Sequence, residues 1–374
     1  MKRLFFVVNI DSFFLSHRLP LAFEAIKRGY EVYLLTSDTG KKNDIEGYGI
    51  HFIEIPFERS GTNLFHEIKC IFLLLKYYKK FNPDIIHHVT LKAALLGSIA
   101  SKLAMKKNVI NAISGLGYNF TDGRKGLIQF IVRLVMKRSF KSYYYYFILQ
   151  NPDDIEMMKN LNLVPESHHR LIKGSGVDLN EFSFTDFIEK EKLRLLFPAR
   201  ILYDKGVMEL IKAAELLEDK WKNRIVFVLV GDCDEDNLSV IHQDDLEKLL
   251  IPGYIEWIGF RNDMVDQYMQ SDIVILPSYR EGLPKSLIEA CAIGRPIVTT
   301  DVPGCRECVI DGYNGYLVPV KTIEPLARAI ENLCENKEKR IEMGKNSRSL
   351  AEKEFSIDLV IEKTFEIYDE IFNK

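Results

Sequence analysis

Short apolar runs alternate with helical stretches along the whole chain, and this alternation restricts the fold more than any other feature. Leu4–Ile10, Glu31–Thr36, His51–Ile55, Ile85–His87, Val109–Ala112 and Tyr144–Leu149 read as strands in the first half. Leu193–Pro198, Ile225–Val230, Ile255–Ile258, Ile273–Leu276 and Pro296–Thr299 do so in the second. Apolar residues at helical spacing lie between them, as over Leu19–Arg28, Asn63–Lys80 and Met208–Leu217. Strands followed in turn by helices imply an α/β fold with parallel sheets covered on both faces. With 374 residues, 47% of them hydrophobic, the chain has material for two cores of ordinary size. The expected division is a first Rossmann-like domain over 1–178 and a second over 190–355. Gly174-Ser175-Gly176-Val177-Asp178 and the polar stretch Ser183–Lys192 join them. Residues 356–374 hold a last helix with Leu359, Ile361, Phe365, Ile367 and Ile371 as its apolar positions.

Chemistry concentrates between Asp272 and Pro296, which reads DIVILPSYREGLPKSLIEACAIGRP. An apolar strand meets a Pro-Ser turn, then a loop with Glu281 and Gly282. Pro284 suits the first turn of a helix that stops near Gly294-Arg295-Pro296. The backbone around Gly282, Leu283, Pro284 and Lys285 therefore opens a helix N-terminus, a natural seat for a diphosphate. Glu281 and Glu289 flank that seat at an E-x7-E spacing, so each acid can bind hydroxyls on one side. A nucleotide-sugar has that layout: sugar, diphosphate, ribose. The plainer reading is an ordinary strand-loop-helix unit with two solvated glutamates.

The full string is more specific, and resembles the signature P-S-x-x-E-G-x-P-x-x-x-x-E-A of the retaining GT-B glycosyltransferases grouped as family 4. The resemblance implies two Rossmann-like domains facing each other across a cleft, with the C-terminal helix crossing back to the first domain. It assigns donor binding to the second domain and acceptor binding to the first. Glu281 would bind sugar hydroxyls and Glu289 the ribose diol. Arg200 and Lys205, in PARILYDKG, lie just beyond a strand's C-terminal end, where α/β sheets bind ligands. In the resembled family this R-x4-K pair clamps the donor diphosphate, stabilising the charge that grows as the nucleotide leaves. Gly231 and Arg261 follow two further strands; the resemblance puts the nucleotide base near Arg261. In the first domain it points to Ser16, His17 and Arg18 after strand one, to His88 at the end of another strand, and to the glycine loop with Gly115 and Gly117. Many relatives have a glycine pair in the loop after strand one, and Asn9–Phe14 lacks it. Arg18 is a candidate for a phosphate of the acceptor. Of the adjacent His87 and His88 at most one faces a cleft, and a satisfied core histidine is the alternative for either.

Composition narrows the partners. The net charge of −3 gives no global field for nucleic acid. The six cysteines read as reduced cytoplasmic thiols, and no second Cys or His pair accompanies Cys305 and Cys308, so neither metal nor cofactor is expected. The apolar runs are too short to span a bilayer and no charged-then-apolar leader is read, so the chain is expected to be soluble or peripheral. Local charge is uneven: Ser101–Lys141 carries nine basic residues against Asp122 alone. Two readings stand for its helix: a core-packed element with a solvated basic face, or a helix lying on an anionic membrane surface.

The function expected from this resemblance is retaining transfer of a hexose or N-acetylhexosamine from a UDP-sugar, the donor substrate. The acceptor would be a hydroxyl of a glycan linked to undecaprenyl diphosphate, in O-antigen, capsule or N-glycan assembly. The enzyme would need no metal and would sit at the inner face of the cell membrane. Two rivals are a GT-B-fold UDP-sugar 2-epimerase and a non-catalytic nucleotide-sugar-binding protein. The first should not carry R-x4-K followed by E-G-x-P-x4-E, and the second need not keep Arg200 with Lys205.

Overall fold

A computed structural model of the chain describes residues 1–58, 63–115, 127–142, 144–164, 168–235 and 237–373, with the backbone alone for 127–132. It forms two compact units, Met1–Ser175 with Asp358–Lys374, and Gly176–Ile357.

The first unit is a parallel sheet in the order β3-β2-β1-β4-β5-β6-β7. Its strands are β1 (Lys2–Ile10), β2 (Tyr30–Ser37), β3 (His51–Glu54), β4 (Ile85–Val89), β5 (Val109–Ile113), β6 (Tyr145–Leu149) and β7 (His169–Leu171). Its helices are α1 (Asp11–His17), α2 (Leu19–Lys27), α3 (Lys42–Gly47), α4 (Leu64–Phe81), α5 (Leu91–Leu103), α6 (Leu127–Phe140) and α7 (Pro152–Asn160). Successive side chains of a strand point to opposite faces, and β1 divides its load accordingly. Phe5 and Val7 join the core shared with α4, α5 and α6, and Leu4, Phe6 and Val8 join the core on the other side.

The second unit repeats the logic with the order β10-β9-β8-β11-β12-β13. Here β8 (Leu193–Pro198), β9 (Ile225–Val230), β10 (Ile255–Trp257), β11 (Ile273–Leu276), β12 (Ile297–Thr300) and β13 (Gly315–Val318) are all parallel. Between and after them run α8 (Val207–Trp221), α9 (Gln243–Glu247), α10 (Met264–Met269), α11 (Lys285–Ile293), α12 (Glu324–Glu335) and α13 (Lys337–Glu354). The last helix, α14 (Ile357–Phe372), belongs mostly to the first unit: Val360, Phe365, Ile367, Tyr368 and Ile371 are buried in its core beside Leu4, Phe6 and Val8.

Two strands escape the sequence reading. β7 and β13 are three and four residues long and close one edge of each sheet. An edge strand buries less than a central one, so neither needs the apolar run that announces the others.

Candidate active site

In the second unit β8 lies between β9 and β11, and the loops that follow these three strands leave the same edge of the sheet. Glycines let them touch. Gly206, with φ +76°, caps α8, and a Cβ there would come within 2.2 Å of the Pro277 carbonyl oxygen. A Cβ on Gly231 would meet the Ala199 carbonyl oxygen at 2.2 Å, and one on Gly304 would meet the carbonyl oxygens of Glu281 and Gly282 at 2.6 Å. The β8 and β11 loops are further tied by the Tyr279 N–H, which donates to the Asp204 carbonyl at 2.8 Å.

This close approach brings the two halves of the sequence signature together. The Lys205 ammonium forms an ion pair with Glu281 Oε1, which also accepts from Ser278 Oγ at 2.7 Å. Both charged side chains are largely covered. Arg200 pairs with Asp234, whose side chain is nearly buried while the guanidinium stays half exposed. Asp204, beside Lys205, has one carboxylate oxygen buried without a hydrogen bond, and burial raises its pKa above the usual carboxylate range.

Glu289 stands in α11, whose first residue is Lys285; Pro284 takes the N-cap position, one place outside the helix. Its carbonyl accepts the Leu287 and Ile288 N–H groups at 3.0 and 3.3 Å. Leu283 is buried and Gly282 packs under Gly304. Glu289 is only 8% exposed, and burial raises its pKa against the lowering effect of Lys285, 3.5 Å away. The hydroxyl of the fully buried Tyr268 lies 3.0 Å from Glu289 Oε2 and 3.0 Å from the Ser286 carbonyl. Arg295 clamps the segment that bears this tyrosine: its guanidinium donates to the Tyr268 and Met269 carbonyls at 3.1 and 3.0 Å. It also donates to the Thr185 carbonyl and hydroxyl at 2.7 and 2.8 Å. Arg261, past β10, holds Asp263 in a two-pronged ion pair at 2.8 and 2.7 Å. Gly231 and Gly259 abut through an N–H to carbonyl bond of 2.9 Å.

In the first unit, Ser16 and His17 end α1. Ser16 Oγ donates to the Ser12 carbonyl at 3.0 Å and lies 2.6 Å from His17 Nδ1, and the imidazole stacks on Phe13. Arg18 is 5% exposed, with one guanidinium N–H on the His17 carbonyl at 2.9 Å, and burial lowers its pKa to about 10. Gly115, φ +138°, follows β5; Gly117 lies outside the described residues.

The assignment of His88 to a ligand cleft is corrected. Its ring is fully buried, with Nδ1 2.7 Å from Asn111 Oδ1 and Nε2 3.0 Å from the Tyr78 hydroxyl. Burial lowers its pKa to about 4. The ring occupies space left by Gly97, where a Cβ would come within 2.2 Å of His88 Nε2. His87 points to the other layer, 2.7 Å from the Tyr368 hydroxyl, and is 1% exposed. Both are core histidines. Thr90, two residues on, holds φ +80° at the start of α5, while its hydroxyl donates to Asn9 Oδ1 at 2.9 Å. Such strain in a non-glycine residue collects at functional sites.

Asp204, Ser278, Tyr268 and Thr90 had no role in the sequence reading. Asp204 and Ser278 were within reach, since they stand inside the two matched motifs. Nothing local marks Tyr268, whose partner is 21 residues away.

Part of the basic segment 101–141 lies outside the described residues. In the rest, Lys102 donates to the carbonyl of Lys141, just past the end of α6, at 2.9 Å and to that of Arg138 within its last turn. Lys137 and Arg138 occupy the last turn of α6, where cations complement the helix dipole. Among the described residues no three His, Cys, Asp or Glu side chains gather to hold a metal. No helix there is long and apolar enough to cross a membrane.

The chain is similar to known glycosyltransferases. The family described as glycosyl transferases group 1 matches residues 180–350, and glycosyl transferase 4-like matches residues 3–143. The chain is 31% identical over 381 residues to the N,N'-diacetylbacillosaminyl-diphospho-undecaprenol alpha-1,3-N-acetylgalactosaminyltransferase of Campylobacter jejuni, covering 96% of this chain and 98% of that one. It is 25% identical to the UDP-Gal:alpha-D-GlcNAc-diphosphoundecaprenol alpha-1,3-galactosyltransferase of Escherichia coli, covering 92% and 90%. Among solved structures, sucrose-phosphate synthase from Thermosynechococcus elongatus matches with a TM-score of 0.82 at 19% identity, over 100% of each chain. Anabaena HepE in complex with UDP and glucose matches at 0.76 and 17%, over 99% of each chain. Taken with the signature string and the loops it brings together, these matches show that the chain belongs to the group 1 glycosyltransferases and is a glycosyltransferase of GT-B fold.

Proposed function

We propose that the protein transfers a hexose or N-acetylhexosamine from a UDP-sugar to a hydroxyl of a glycan carried on undecaprenyl diphosphate, with retention of configuration and without a metal. The observation that carries the reading is the Lys205–Glu281–Ser278 cluster at the mouth of α11, with Glu289 held by Tyr268 inside the same helix. Arg200 and Lys205 meet the donor diphosphate and stabilise the charge that builds as UDP departs, which fixed cations do without a divalent ion. Their present partners, Asp234 and Glu281, hold them in place beforehand. Glu281 binds sugar hydroxyls, Glu289 the ribose diol, and Arg261 stands near the base. No side chain is assigned as a covalent nucleophile. In the proposed front-face route the leaving phosphate accepts the acceptor's proton within a site closed to water.

The acceptor is assigned to the first unit, through Ser16, His17, Arg18 and the Gly115 loop. The lipid-linked class is supported by the names of the Campylobacter and Escherichia relatives, both of which act on diphospho-undecaprenol sugars. Such an acceptor is embedded in a bilayer, so the enzyme works as a peripheral protein at the inner face of the cell membrane.

UDP release measured with a panel of UDP-sugars, with and without an undecaprenyl-diphosphate-linked acceptor, tests the reading. Acceptor-dependent release that survives EDTA is expected. Lys205→Ala is expected to lower kcat by about a hundredfold, the size of losing one transition-state charge partner. Release without acceptor together with 2-epimerised sugar supports the epimerase instead. Nucleotide binding with no turnover on any acceptor leaves a binding protein.

A further inference from the structure

The two sides of α4 differ in kind. Cys70, Leu74 and Tyr78 are buried against the sheet. The opposite side carries Phe65, Ile68, Lys69, Phe72, Lys76, Lys79 and Lys80, which helical spacing places in one exposed stripe. Phe65 is 85% exposed and Phe72 62%, with the neighbouring Leu64 at 69%. Single exposed apolar residues are ordinary, but a contiguous row of them marks a contact surface. Lys79 and Lys80 fall in the last turn, where the helix dipole accounts for them. The dipole does not account for the phenylalanines. Glu67 is the single acid of the helix, and it is half-buried and paired with Lys92 at 2.5 Å. The stripe therefore has a mainly apolar half that includes the cation Lys69, then a cationic half, and no anion along it. Helices of a parallel sheet begin at the edge where strands end, so Phe65 and Ile68 stand at the edge that also carries α1 and the Ser114–Gly115 loop.

We infer that the outer face of α4 is a lipid-docking surface: Phe65, Ile68 and Phe72 enter the acyl boundary of an anionic bilayer while Lys76, Lys79 and Lys80 meet lipid phosphates. Charge complementarity selects this occupant, because a bilayer presents an apolar interior and an anionic border as one continuous partner. The inference deepens the lipid-linked-acceptor reading and rests on it for the reason to dock. It also moves the insertion from the basic segment 101–141 to a helix outside that segment.

The full chain is sedimented with vesicles of phosphatidylglycerol and phosphatidylcholine in equal parts, and with vesicles of phosphatidylcholine alone. Binding to the mixed vesicles that weakens at high salt is expected. The Phe65→Ser/Phe72→Ser variant should lose at least tenfold in partitioning, as should Lys76→Ser/Lys79→Ser/Lys80→Ser, with UDP affinity within twofold of wild type in both. Phe72→Trp, which keeps the surface apolar, should bind like wild type and gain an emission component quenched by brominated acyl chains. Unquenched Phe72→Trp, or undiminished pelleting of the phenylalanine variant, overturns the inference. A concentration-dependent dimer abolished by the same variant overturns it too, assigning the face to a second copy of the chain. Lipid binding without turnover would defeat the enzymatic reading and leave this one standing. Turnover on acceptor in detergent with no vesicle binding would do the reverse.

Discussion

Glu289 and His88 are both buried ionisable groups, and their surroundings give them opposite uses. Glu289 keeps its carboxylate beside Tyr268 and Lys285, so a charge is held ready in a covered position. A carboxylate accepting two hydroxyl hydrogen bonds contributes about 1.5–3 kcal/mol. Glu289→Ala is therefore expected to weaken UDP binding by about tenfold or more, with the fold intact, and calorimetric titration reads this directly. His88 has no charged partner and is held neutral. An unfolded histidine takes its proton near pH 6.5, and this one takes it only at about 4. Since the folded value is the lower, the unfolded chain holds the extra proton between the two. Stability is complete above about pH 6.5 and is lost as pH falls toward 4, by about 3 kcal/mol for this group. Urea unfolding at pH 7.5 and pH 4.5 should show a smaller drop for His88→Gln than for wild type. His87, whose pKa burial also lowers, adds to the drop in both proteins. Equal drops in both proteins would remove His88 from the acid response.

Elements meet at the active edge through glycine. The turn from β8 into α8 carries Lys205, and Gly206 sets its position by an αL conformation pressed against Pro277. Side chains other than glycine lose about 1–3 kcal/mol in such strained backbone, and here a methyl would also overlap the Pro277 carbonyl. Gly206→Ala must push the β8 and β11 loops apart, and the Lys205–Glu281 pair spans that seam. The expected outcome is a Tm lower by several degrees and a kcat loss approaching that of Lys205→Ala, while Glu289, on α11, still supports UDP binding. A variant with lowered Tm and wild-type kcat would show that the seam serves the fold alone.

At the scale of the whole molecule the chain makes two passages between its units. It enters the second unit at Gly176 and leaves at Ile357, and these passages run side by side. Val177 N–H donates to the Phe355 carbonyl at 2.9 Å and Ile357 N–H to the Val177 carbonyl at 3.0 Å. Beyond them α14 fills the first unit's core with Val360, Phe365, Ile367, Tyr368 and Ile371. At about 1.5–3 kcal/mol for each large apolar side chain, these are worth roughly 10 kcal/mol, the size of a domain's whole stability. A chain ending at Asp358 should lose the first unit's thermal transition and expose it to protease, while the second unit's transition persists. Unaltered melting of both units would show that α14 is dispensable.

The central strands were legible in sequence because burial on both faces demands uninterrupted apolar runs: Leu193–Pro198, Ile225–Val230 and Ile273–Leu276 coincide with β8, β9 and β11. The string from Pro277 to Ala290 was legible because its residues sit close together in sequence, and the helix it predicts lies within a residue of α11. Tertiary structure decided what depends on residues far apart. Lys205 and Glu281 are 76 positions apart and pair only because β8 and β11 are neighbours. Tyr268 reaches Glu289 from another helix. Alternation along β4 correctly sends His87 and His88 to opposite faces, but whether a face is core or surface depends on the helices laid upon it. With α4 and α5 on one side and α14 on the other, both rings are covered.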